Sequence, residues 1–419
     1  MYVIEAPTVR HPQPDQCERA ESLPAPAAPR TAVRAAIARS MFRHAVADLA
    51  LRVQLPDGTS IGGGGNDSPR MVIHQPDALF ARLGTNAKIG FGEAYMAGEW
   101  DAARGTDLAE LLVPFASNVA TLVPRPLQRL RRVVEGRRPT NEEGTPSQAR
   151  QNIRRHYDLS NDLFASFLDE TLSYSSALFE NGDDLGTAQR RKIDGVLDLA
   201  AVGHGCSLLE IGTGWGQLAI QAAQRGAHVT TITLSAEQRD LAIRRIADAG
   251  VSDRVNILLS DYREVTGQYD AIVSVEMIEA VGKRFWPDYF IALDRLLRPG
   301  GRVGLQSITM AHDRMLATQH SYTWIHKYIF PGGIIPSIEA IEATLGRHTS
   351  LVVSHRRDFG ADYATTLRCW RETFLANWPM PAGSPFDHTF KRMWEFYLAY
   401  CEAGFRTGYL GVSQFALTR

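Results

Sequence analysis

The sequence lacks the cysteine patterns of metal-binding and disulfide-stabilised proteins. Its cysteines, Cys17, Cys206, Cys369 and Cys401, lie far apart and form no CxxC pair. We therefore predict neither a metal site nor a disulfide framework, and we expect a reducing compartment.

Long apolar runs are missing as well. No uncharged apolar stretch approaches the roughly 20 residues that a transmembrane helix needs. The first residues contain Glu5, Asp15 and several prolines before any apolar stretch, which is unlike a signal or transit peptide. We expect a cytoplasmic protein that meets the inner face of the membrane from the water side.

The sequence has no excess of positive charge. Lysine and arginine together number 45, aspartate and glutamate 46, and the formal net charge is −1. Proteins that bind nucleic acid usually carry a strong basic excess, so no nucleic-acid partner is predicted.

The chain is long enough, at 419 residues, for two domains. Residues 1–30 are rich in proline and alanine and predict a mobile tail. Residues 31–138 combine helical and strand-like patterns with a glycine turn, which favours a small α+β domain. The polar stretch 139–147 is the predicted linker, and residues 148–419 form the larger domain.

The smaller domain begins with a helical pattern. Residues 31–51 repeat apolar side chains at helical spacing, with Arg34, Arg39 and Arg43 between them. The pattern favours an amphipathic helix that packs on its own domain and has a solvated basic side. A helix lying on a membrane surface is the alternative.

In the larger domain, strand-like and helix-like segments alternate. The predicted strands are residues 208–211, 228–233, 255–259, 271–275 and 302–307. Helical patterns separate most of them, and this alternation is typical of a doubly wound α/β sheet.

The first of these strands runs into a glycine-rich turn, GTGWG (212–216). Glycines let a ligand approach the backbone closely, and the N-terminus of a following helix adds a positive dipole. The spacing matches neither the GxGxxG dinucleotide fingerprint nor the GxxxxGK[ST] phosphate loop. Glu210, just before the turn, suits a cofactor with a cationic amino-acid end.

Polar residues also follow the next two predicted strands. Thr233 and Gln238 stand where a ribose would be contacted in such folds, and Tyr262 and Arg263 where an adenine would lie. Three strand ends in the correct order predict a cofactor that contains a nucleoside.

Sequence blocks spread over most of residues 88–410 resemble the cyclopropane-fatty-acid synthase and mycolic-acid methyltransferase family. Besides the glycine turn, they are NIRRHYDLSND (152–162), YSSA (174–177), VEMIEAVG (275–282), WIHKYIFPGG (324–333) and FGADY (359–363). GFGEAYM (90–96) also resembles the additional lipid-handling domain of the phospholipid-acting members. The nearest pattern is that of the tuberculostearic-acid branch, which makes methyl-branched rather than cyclopropane chains.

The resemblance implies a class I S-adenosylmethionine-dependent methyltransferase with a Rossmann-like sheet. It also implies which residues surround the cofactor. They are Tyr157, Tyr174, Ser175, Gly212, Gly214, Thr233, Leu234, Gln238, Tyr262 and Arg263.

The resemblance further implies that a bicarbonate ion acts as base, held by a cysteine, a glutamate, a histidine, a tyrosine and the backbone of an isoleucine. The matching positions here are Ser176, Glu279, Gln306, Tyr363 and Ile308. Serine and glutamine thus replace the cysteine and histidine, and both can still donate hydrogen bonds to an oxyanion. Glu279, or an ion that it orients, is the predicted base.

The expected reaction adds a one-carbon unit to the double bond of an unsaturated, oleoyl-type acyl chain of a phospholipid. Methyl transfer leaves a carbocation, which aromatic faces stabilise. The candidate aromatic walls are Tyr174, Trp324, Tyr328, Phe330 and Tyr363. Proton loss with ring closure gives a cyclopropane, whereas a hydride shift before proton loss gives a methylene branch. The altered base pocket and the resemblance to the tuberculostearic branch favour the methylene product.

Three alternatives stay open at this point. The enzyme makes a cyclopropane on the same substrate, or it methylates a small polar substrate with the same fold. The third alternative, motivated by Ser176 and Gln306, is a lipid-binding protein without activity. A methylene product implies a separate reductase as partner, and the resemblance leaves a homodimer open.

Overall fold

The computed structural model describes residues 25–27, 29, 32–119, 161–380 and 384–419. Most of the predicted tail and the predicted linker 139–147 lie outside these ranges. The strands are β1 (Arg52–Gln54), β2 (Ser60–Ile61), β3 (Arg70–Ile73), β4 (Trp100–Ala102), β5 (Ser207–Ile211), β6 (His228–Thr233), β7 (Val255–Leu259), β8 (Tyr269–Val275), β9 (Leu297–Met310), β10 (Val352–Asp358) and β11 (Leu410–Thr418).

Helices flank these strands. The α-helices are α1 (Ala32–Ala47), α2 (Pro76–Thr85), α3 (Ala87–Met96), α4 (Leu108–Ser117), α5 (Asn161–Ala165), α6 (Leu185–Leu199), α7 (Gln217–Gln224), α8 (Ala236–Asp248), α9 (Ile278–Val281), α10 (Trp286–Leu296), α11 (His312–Thr318), α12 (Trp324–Tyr328), α13 (Ile338–His348), α14 (Gly360–Ala376) and α15 (His388–Arg406). A 3₁₀ turn covers Lys283–Phe285. Within the described ranges, no helix is both long and apolar enough to cross a bilayer.

Seven of the described strands form one sheet in the order β10-β11-β9-β8-β5-β6-β7. Strands β7, β6, β5, β8 and β9 are parallel, and β11 is antiparallel to both β9 and β10. The five predicted strands and the doubly wound α/β fold are confirmed. The chain order reverses at β5, which places the switch point of the sheet at the glycine turn.

The central strands are buried because helices cover both faces of the sheet. Leu208, Leu209 and Ile211 of β5 and Ile272 and Val273 of β8 are all buried, as is typical of parallel strands. The edge strand β10, with the sequence VVSHRRD, is mostly polar and exposed. That polarity explains why β10 is not among the predicted strands.

Residues 32–119 form a smaller unit of α+β type. Strands β1–β4 make a sheet in the order β2-β1-β3-β4, with β1 and β3 parallel and the other pairs antiparallel. Helix α1 lies within the predicted span and packs on α2, where Phe42 meets Phe80 edge-on at 5.7 Å between ring centres. This contact agrees with the prediction of a helix packed on its own unit.

The smaller unit shares its hydrophobic core with the carboxyl-terminal helices of the larger one. Trp100 and Phe396 belong to the same buried cluster, with ring centres 6.2 Å apart. Helix α3 lies against α12, where Nε1 of Trp324 is 3.3 Å from Sδ of Met96. A Cβ at Gly92 would lie 2.6 Å from the Trp324 ring. One continuous core therefore joins the two units.

Candidate active site

The glycine turn leads from β5 into α7 at the switch point of the sheet. Gly212, Gly214 and Gly216 have φ angles of 101°, 51° and 90°, which glycine adopts at little cost. A Cβ at Gly212 would also lie 2.7 Å from Sδ of Met277, the second residue after β8. The turn therefore needs glycine both for its φ angle and for this close approach.

The residues after β6 and β7 lie at the same edge of the sheet as the glycine turn. Oγ1 of Thr233 donates to Oε1 of Gln238 at 3.0 Å, and both side chains are buried. Arg263 donates to the buried carboxylate of Asp261 at 2.6 and 2.8 Å, and its guanidinium lies over the Tyr262 ring at 5.2 Å. Burial raises the pKa of Tyr262 to about 12.

Two buried ionisable residues, Lys192 and Glu210, lie behind the turn. Lys192 of α6 donates to Oγ of Ser175 at 2.5 Å, and burial lowers the pKa of this lysine to about 8. Burial also raises the pKa of Glu210, at the end of β5, to about 8, although Thr231 and the Lys192 charge oppose the shift. Nearby, the hydroxyls of Tyr174 and Tyr397 are 2.7 Å apart.

This arrangement fits S-adenosylmethionine. Oε2 of Glu210 and the hydroxyl of Tyr262 are buried and accept or donate no hydrogen bond within the described ranges, so a ligand can supply their partners. Leu234, partly buried after β6, offers an apolar contact. Of the residues expected around the cofactor, Tyr157 lies outside the described ranges.

A second cluster surrounds the carboxylate of Glu276, directly after β8. The N–H of Ser176 and Nε2 of Gln306 each donate to Oε1 at 2.9 Å, and the hydroxyl of Tyr363 donates to Oε2 at 2.9 Å. Gln414 donates to Oε1 of Gln306 at 2.9 Å and fixes the orientation of that amide. Three residues expected to hold an anion thus hold a carboxylate of the chain itself.

The donor at Ser176 differs from the one expected from the sequence. Its backbone N–H reaches Glu276, while its hydroxyl donates to the carbonyl of Ala177 at 3.0 Å. The replacement of cysteine by serine therefore adds no side-chain donor to the carboxylate.

Glu279 lies apart from these three donors. Its Oε1 accepts from the N–H of Ile308 at 2.5 Å and from Oγ of Ser307 at 3.0 Å. Its Oε2 is buried and has no hydrogen-bond partner within the described ranges. In the structure, Glu279 therefore accepts a hydrogen bond from Ile308. The donors of Ser176, Gln306 and Tyr363 bond to Glu276 instead.

The two carboxylates influence each other. Burial raises the pKa of Glu276, while hydrogen bonds from Ser176 and Gln306 and the charge of Lys192 oppose that shift. The pKa of Glu279 is raised to about 8, first by burial and then by the charge of Glu276. Like charges at close range do not ionise together easily. The negative charge of either carboxylate therefore favours the protonated form of the other.

A bicarbonate ion would have to displace Glu276 from the same donors. The amide of Gln306 faces Glu276 and the Ser176 carbonyl, and the Tyr363 hydroxyl is bonded to Glu276. Within the described ranges, these side chains therefore offer no free donor set for an additional anion.

The site contains residues that were not predicted, among them Glu276 and Lys192. Glu276 lies inside the recognised block VEMIEAVG, and the signal that could have found it is an acid directly after an apolar strand. Lys192 lies on a helix rich in charged residues, where a lysine is usually on the solvated face. Its burial depends on packing that sequence spacing does not reveal.

Aromatic side chains line only part of the expected wall. The Tyr363 ring lies 4.5 Å from Phe405, and Tyr174 lies 5.2 Å from Trp370, between ring centres. Phe330 joins this group through Tyr397, at 5.8 Å.

Trp324 and Tyr328 lie elsewhere, although they were expected in the same wall. Trp324 packs on Met96, and the Tyr328 hydroxyl donates to Glu93 at 2.8 Å. Both residues therefore contact helix α3 of the smaller unit.

The strand order, the glycine turn at the switch point and the polar residues at the neighbouring strand ends define a class I S-adenosylmethionine-dependent methyltransferase. Known proteins agree with this class. A family model described as mycolic acid cyclopropane synthetase matches residues 145–415. The tuberculostearic acid methyltransferase UfaA1 of Mycobacterium tuberculosis is 52% identical over 402 residues, covering 94% of this chain and 93% of that protein.

Two further proteins are similar over much of the chain. The cyclopropane-fatty-acyl-phospholipid synthase of Escherichia coli is 35% identical over 350 residues, covering 83% of this chain and 87% of that protein. The crystal structure of mycolic acid cyclopropane synthase CmaA1 complexed with SAH and CTAB has a TM-score of 0.59 and 29% identity. It covers 67% of this chain and 99% of that chain.

The chain belongs to the mycolic acid cyclopropane synthetase family. It is an enzyme that transfers one-carbon groups from S-adenosylmethionine, and the family resemblance seen in the sequence is confirmed.

Proposed function

We propose that the enzyme methylates the double bond of an oleoyl-type acyl chain of a phospholipid and releases a methylene-branched chain. The observation that carries the proposal is the 52% identity, over 94% of the chain, to a protein named tuberculostearic acid methyltransferase. The similarity to a protein named cyclopropane-fatty-acyl-phospholipid synthase supports a chain carried by a phospholipid.

The residues at the strand ends hold the cofactor in this proposal. S-adenosylmethionine, when bound, supplies an electrophilic methyl group. The glycine turn, Thr233, Gln238 and Tyr262 would position the cofactor, and Glu210 would accept from its amino group. An isolated alkene is a weak nucleophile, so alignment and the exclusion of water supply most of the rate.

The aromatic group around Tyr174 and Tyr363 stabilises the carbocation that methyl transfer leaves on the acyl chain. Each well-placed ring contributes roughly 0.5–2 kcal/mol. A hydride shift moves the positive charge to the methylated carbon, and loss of a methyl proton then forms the methylene group. The carboxylates Glu276 and Glu279 are the candidate proton acceptors. A bicarbonate ion oriented by Glu279 is the alternative acceptor that the resemblance implies.

The proposal places the enzyme on the inner face of the membrane as a peripheral protein. Val33 and Ile37 of α1, 77% and 56% exposed, form an apolar pair beside Arg34, and this combination suits a lipid surface. A separate reductase would convert the methylene group to a methyl branch, and a homodimer is part of the same proposal.

The test is mass spectrometry of lipids from purified enzyme given methyl-labelled S-adenosylmethionine and oleoyl-phospholipid vesicles. We expect a labelled one-carbon gain on the acyl chain. Ozonolysis then separates the two products, because it cleaves a methylene branch and leaves a cyclopropane intact. An intact product would make the enzyme a cyclopropane synthase, like its relative in Escherichia coli. Cofactor binding without labelled lipid would contradict the proposal and favour a small polar substrate or a lipid-binding protein.

A further inference from the structure

We propose that Glu276 is the base that removes the proton from the methylated acyl chain, and that its carboxylate takes the place of a bicarbonate ion. This inference rests on the proposed function and names the group that completes the reaction. It differs from the interpretation of the sequence, in which Glu279 or an ion oriented by it is the base.

The hydrogen bonds around Glu276 carry the proposal. Ser176, Gln306 and Tyr363 converge on the Glu276 carboxylate, each at 2.9 Å. A carboxylate and a bicarbonate ion present the same pair of oxygens on one carbon, so the same donors can hold either one. Here the side chain is covalently fixed among them, and an ion would have to displace it.

The backbone of Glu276 is held in an unusual conformation. Its φ angle is 52°, in the left-handed region that favours glycine. The N–H of Glu276 donates to the carbonyl of Gln306 at 2.8 Å and locks this conformation against β9. Strained residues of this kind persist where the surrounding structure holds them, often at functional sites. The conformation directs the carboxylate toward Tyr363 and Ser176.

The charge distribution favours Glu276 over Glu279 as base. Glu276 accepts three hydrogen bonds and is attracted by Lys192, whereas one oxygen of Glu279 has no partner within the described ranges. A base must be ionised before it can accept a proton. Neighbouring carboxylates with different environments commonly divide into one ionised and one protonated group. Glu276 accepts three hydrogen bonds and Glu279 two, so the donors stabilise a negative charge better on Glu276.

The proton goes to Oε2 of Glu276 in this mechanism. Oε1 accepts two hydrogen bonds and Oε2 only one, from Tyr363, so Oε2 keeps a lone pair free. The C–H bond of the new methyl group breaks, its electron pair forms the C=CH₂ double bond, and the positive charge on the chain is cancelled. Glu276 becomes a carboxylic acid and returns its proton to water when the product leaves.

The first test removes the carboxylate without straining the backbone. Glu276→Gly should fold normally, because glycine adopts a φ of 52° without cost. We expect turnover to fall about 10²- to 10⁴-fold, the usual contribution of a positioned base. Added formate or bicarbonate should restore part of it by entering the vacated donor set. The native enzyme should work equally well in buffer stripped of carbon dioxide and in buffer with added bicarbonate.

The matched control is Ala201→Gly, which also replaces a residue of positive φ, 55°, at an exposed position away from the site. Its turnover should equal that of the native enzyme. Binding of S-adenosylhomocysteine, measured by calorimetry, should be the same in all three proteins. The rate rescued by an added carboxylate should fall at acidic pH, near the pKa of the added acid. With formate this fall should occur at a lower pH than with acetate.

A second pair of variants separates the two carboxylates. Glu276→Gln should lose far more turnover than Glu279→Gln, because a neutral glutamine at 279 can still accept from Ile308 and Ser307. A larger loss for Glu279→Gln would return the role of base to Glu279.

Other results would also overturn the proposal. They are a native enzyme that needs bicarbonate, a Glu276→Gly variant with native turnover, and a folded, cofactor-binding variant that no small carboxylate rescues. The last result would make Glu276 a residue that only positions its three donors. A native enzyme that transfers no label to phospholipid would refute the proposed function and this inference together. If the native enzyme labels phospholipid but one of the three earlier results is found, the inference is refuted and the proposed function is not.

Discussion

Glu210 and Lys192 show how single buried residues prepare the cofactor site. Both lie behind the glycine turn, and burial shifts the pKa of each to about 8, upward for the acid and downward for the base. Perturbed groups of this kind gather at functional sites because they are kept out of water for a ligand. The same burial has a consequence for stability that can be measured.

We expect Glu210→Gln to change how the free energy of unfolding depends on pH. The folded protein keeps a proton on Glu210 up to about pH 8, whereas the unfolded chain releases it near its ordinary value of 4.5. Unfolding therefore becomes easier for the native protein as pH rises through this window, by on the order of 1.4 kcal/mol per pH unit. The variant, relative to the native protein, should gain stability between these limits.

Urea unfolding at several pH values, without cofactor, measures this difference. Glu342→Gln, which changes an exposed glutamate on α13, is the control and should unfold in parallel with the native protein. If the free energy of unfolding of Glu210→Gln also changes with pH in parallel with that of the native protein, Glu210 is ionised in the folded enzyme near neutral pH.

Helix α1 packs on its own unit with one side and exposes two apolar residues on another. Phe42 and Val46 are buried on one side, while Val33 and Ile37 are exposed one turn apart on another. A helix that only packed on its own unit would gain nothing from this exposed pair. Membrane contact through the pair is the interpretation that the proposed substrate favours.

The variant Val33→Glu with Ile37→Glu should bind weakly to anionic phospholipid vesicles. Two apolar side chains lose their contact with lipid, and two negative charges are repelled by the headgroups, each worth on the order of 1 kcal/mol. Vesicle co-sedimentation should show a drop of about tenfold or more in affinity. Ile243→Glu, at a residue of α8 that is 49% exposed, should leave binding unchanged. Equal binding of both variants would exclude α1 as the contact.

The molecule as a whole is held together by one core that spans both units. Residues from α1 to α4 and from α14 to α15 belong to the same buried cluster. Gly92 passes so close to Trp324 that an added Cβ would lie 2.6 Å from the ring. Unfolding of the smaller unit should therefore expose part of the core of the larger one.

We expect Gly92→Ala to destabilise the whole enzyme. Alanine suits a helix interior better than glycine, but its Cβ would lie 2.6 Å from a ring that Met96 and Phe396 hold in place. Overpacking of this kind costs about 1–3 kcal/mol. Thermal unfolding followed by near-ultraviolet circular dichroism should show one transition at a lower midpoint.

Gly65→Ala is the matched control, since a Cβ there would meet nothing within 4 Å. Its midpoint should stay close to that of the native protein. Two separate transitions, or an unchanged midpoint for Gly92→Ala, would show that the two units unfold independently.

The sequence by itself determined the class of fold and the family, and it predicts the place of the cofactor. These features are local: five apolar strands, a glycine turn after the first of them, and short blocks that keep their spacing. Only the tertiary structure decided which carboxylate accepts the hydrogen bonds of the site, and that carboxylate is Glu276. Ser176, Gln306 and Tyr363 are 100, 30 and 87 positions from Glu276, and their meeting depends on how the segment before α6 packs with β8, β9 and α14. The same holds for Lys192 and Trp324, because the direction of a side chain and its partners are set by packing between distant segments, which residue spacing does not encode.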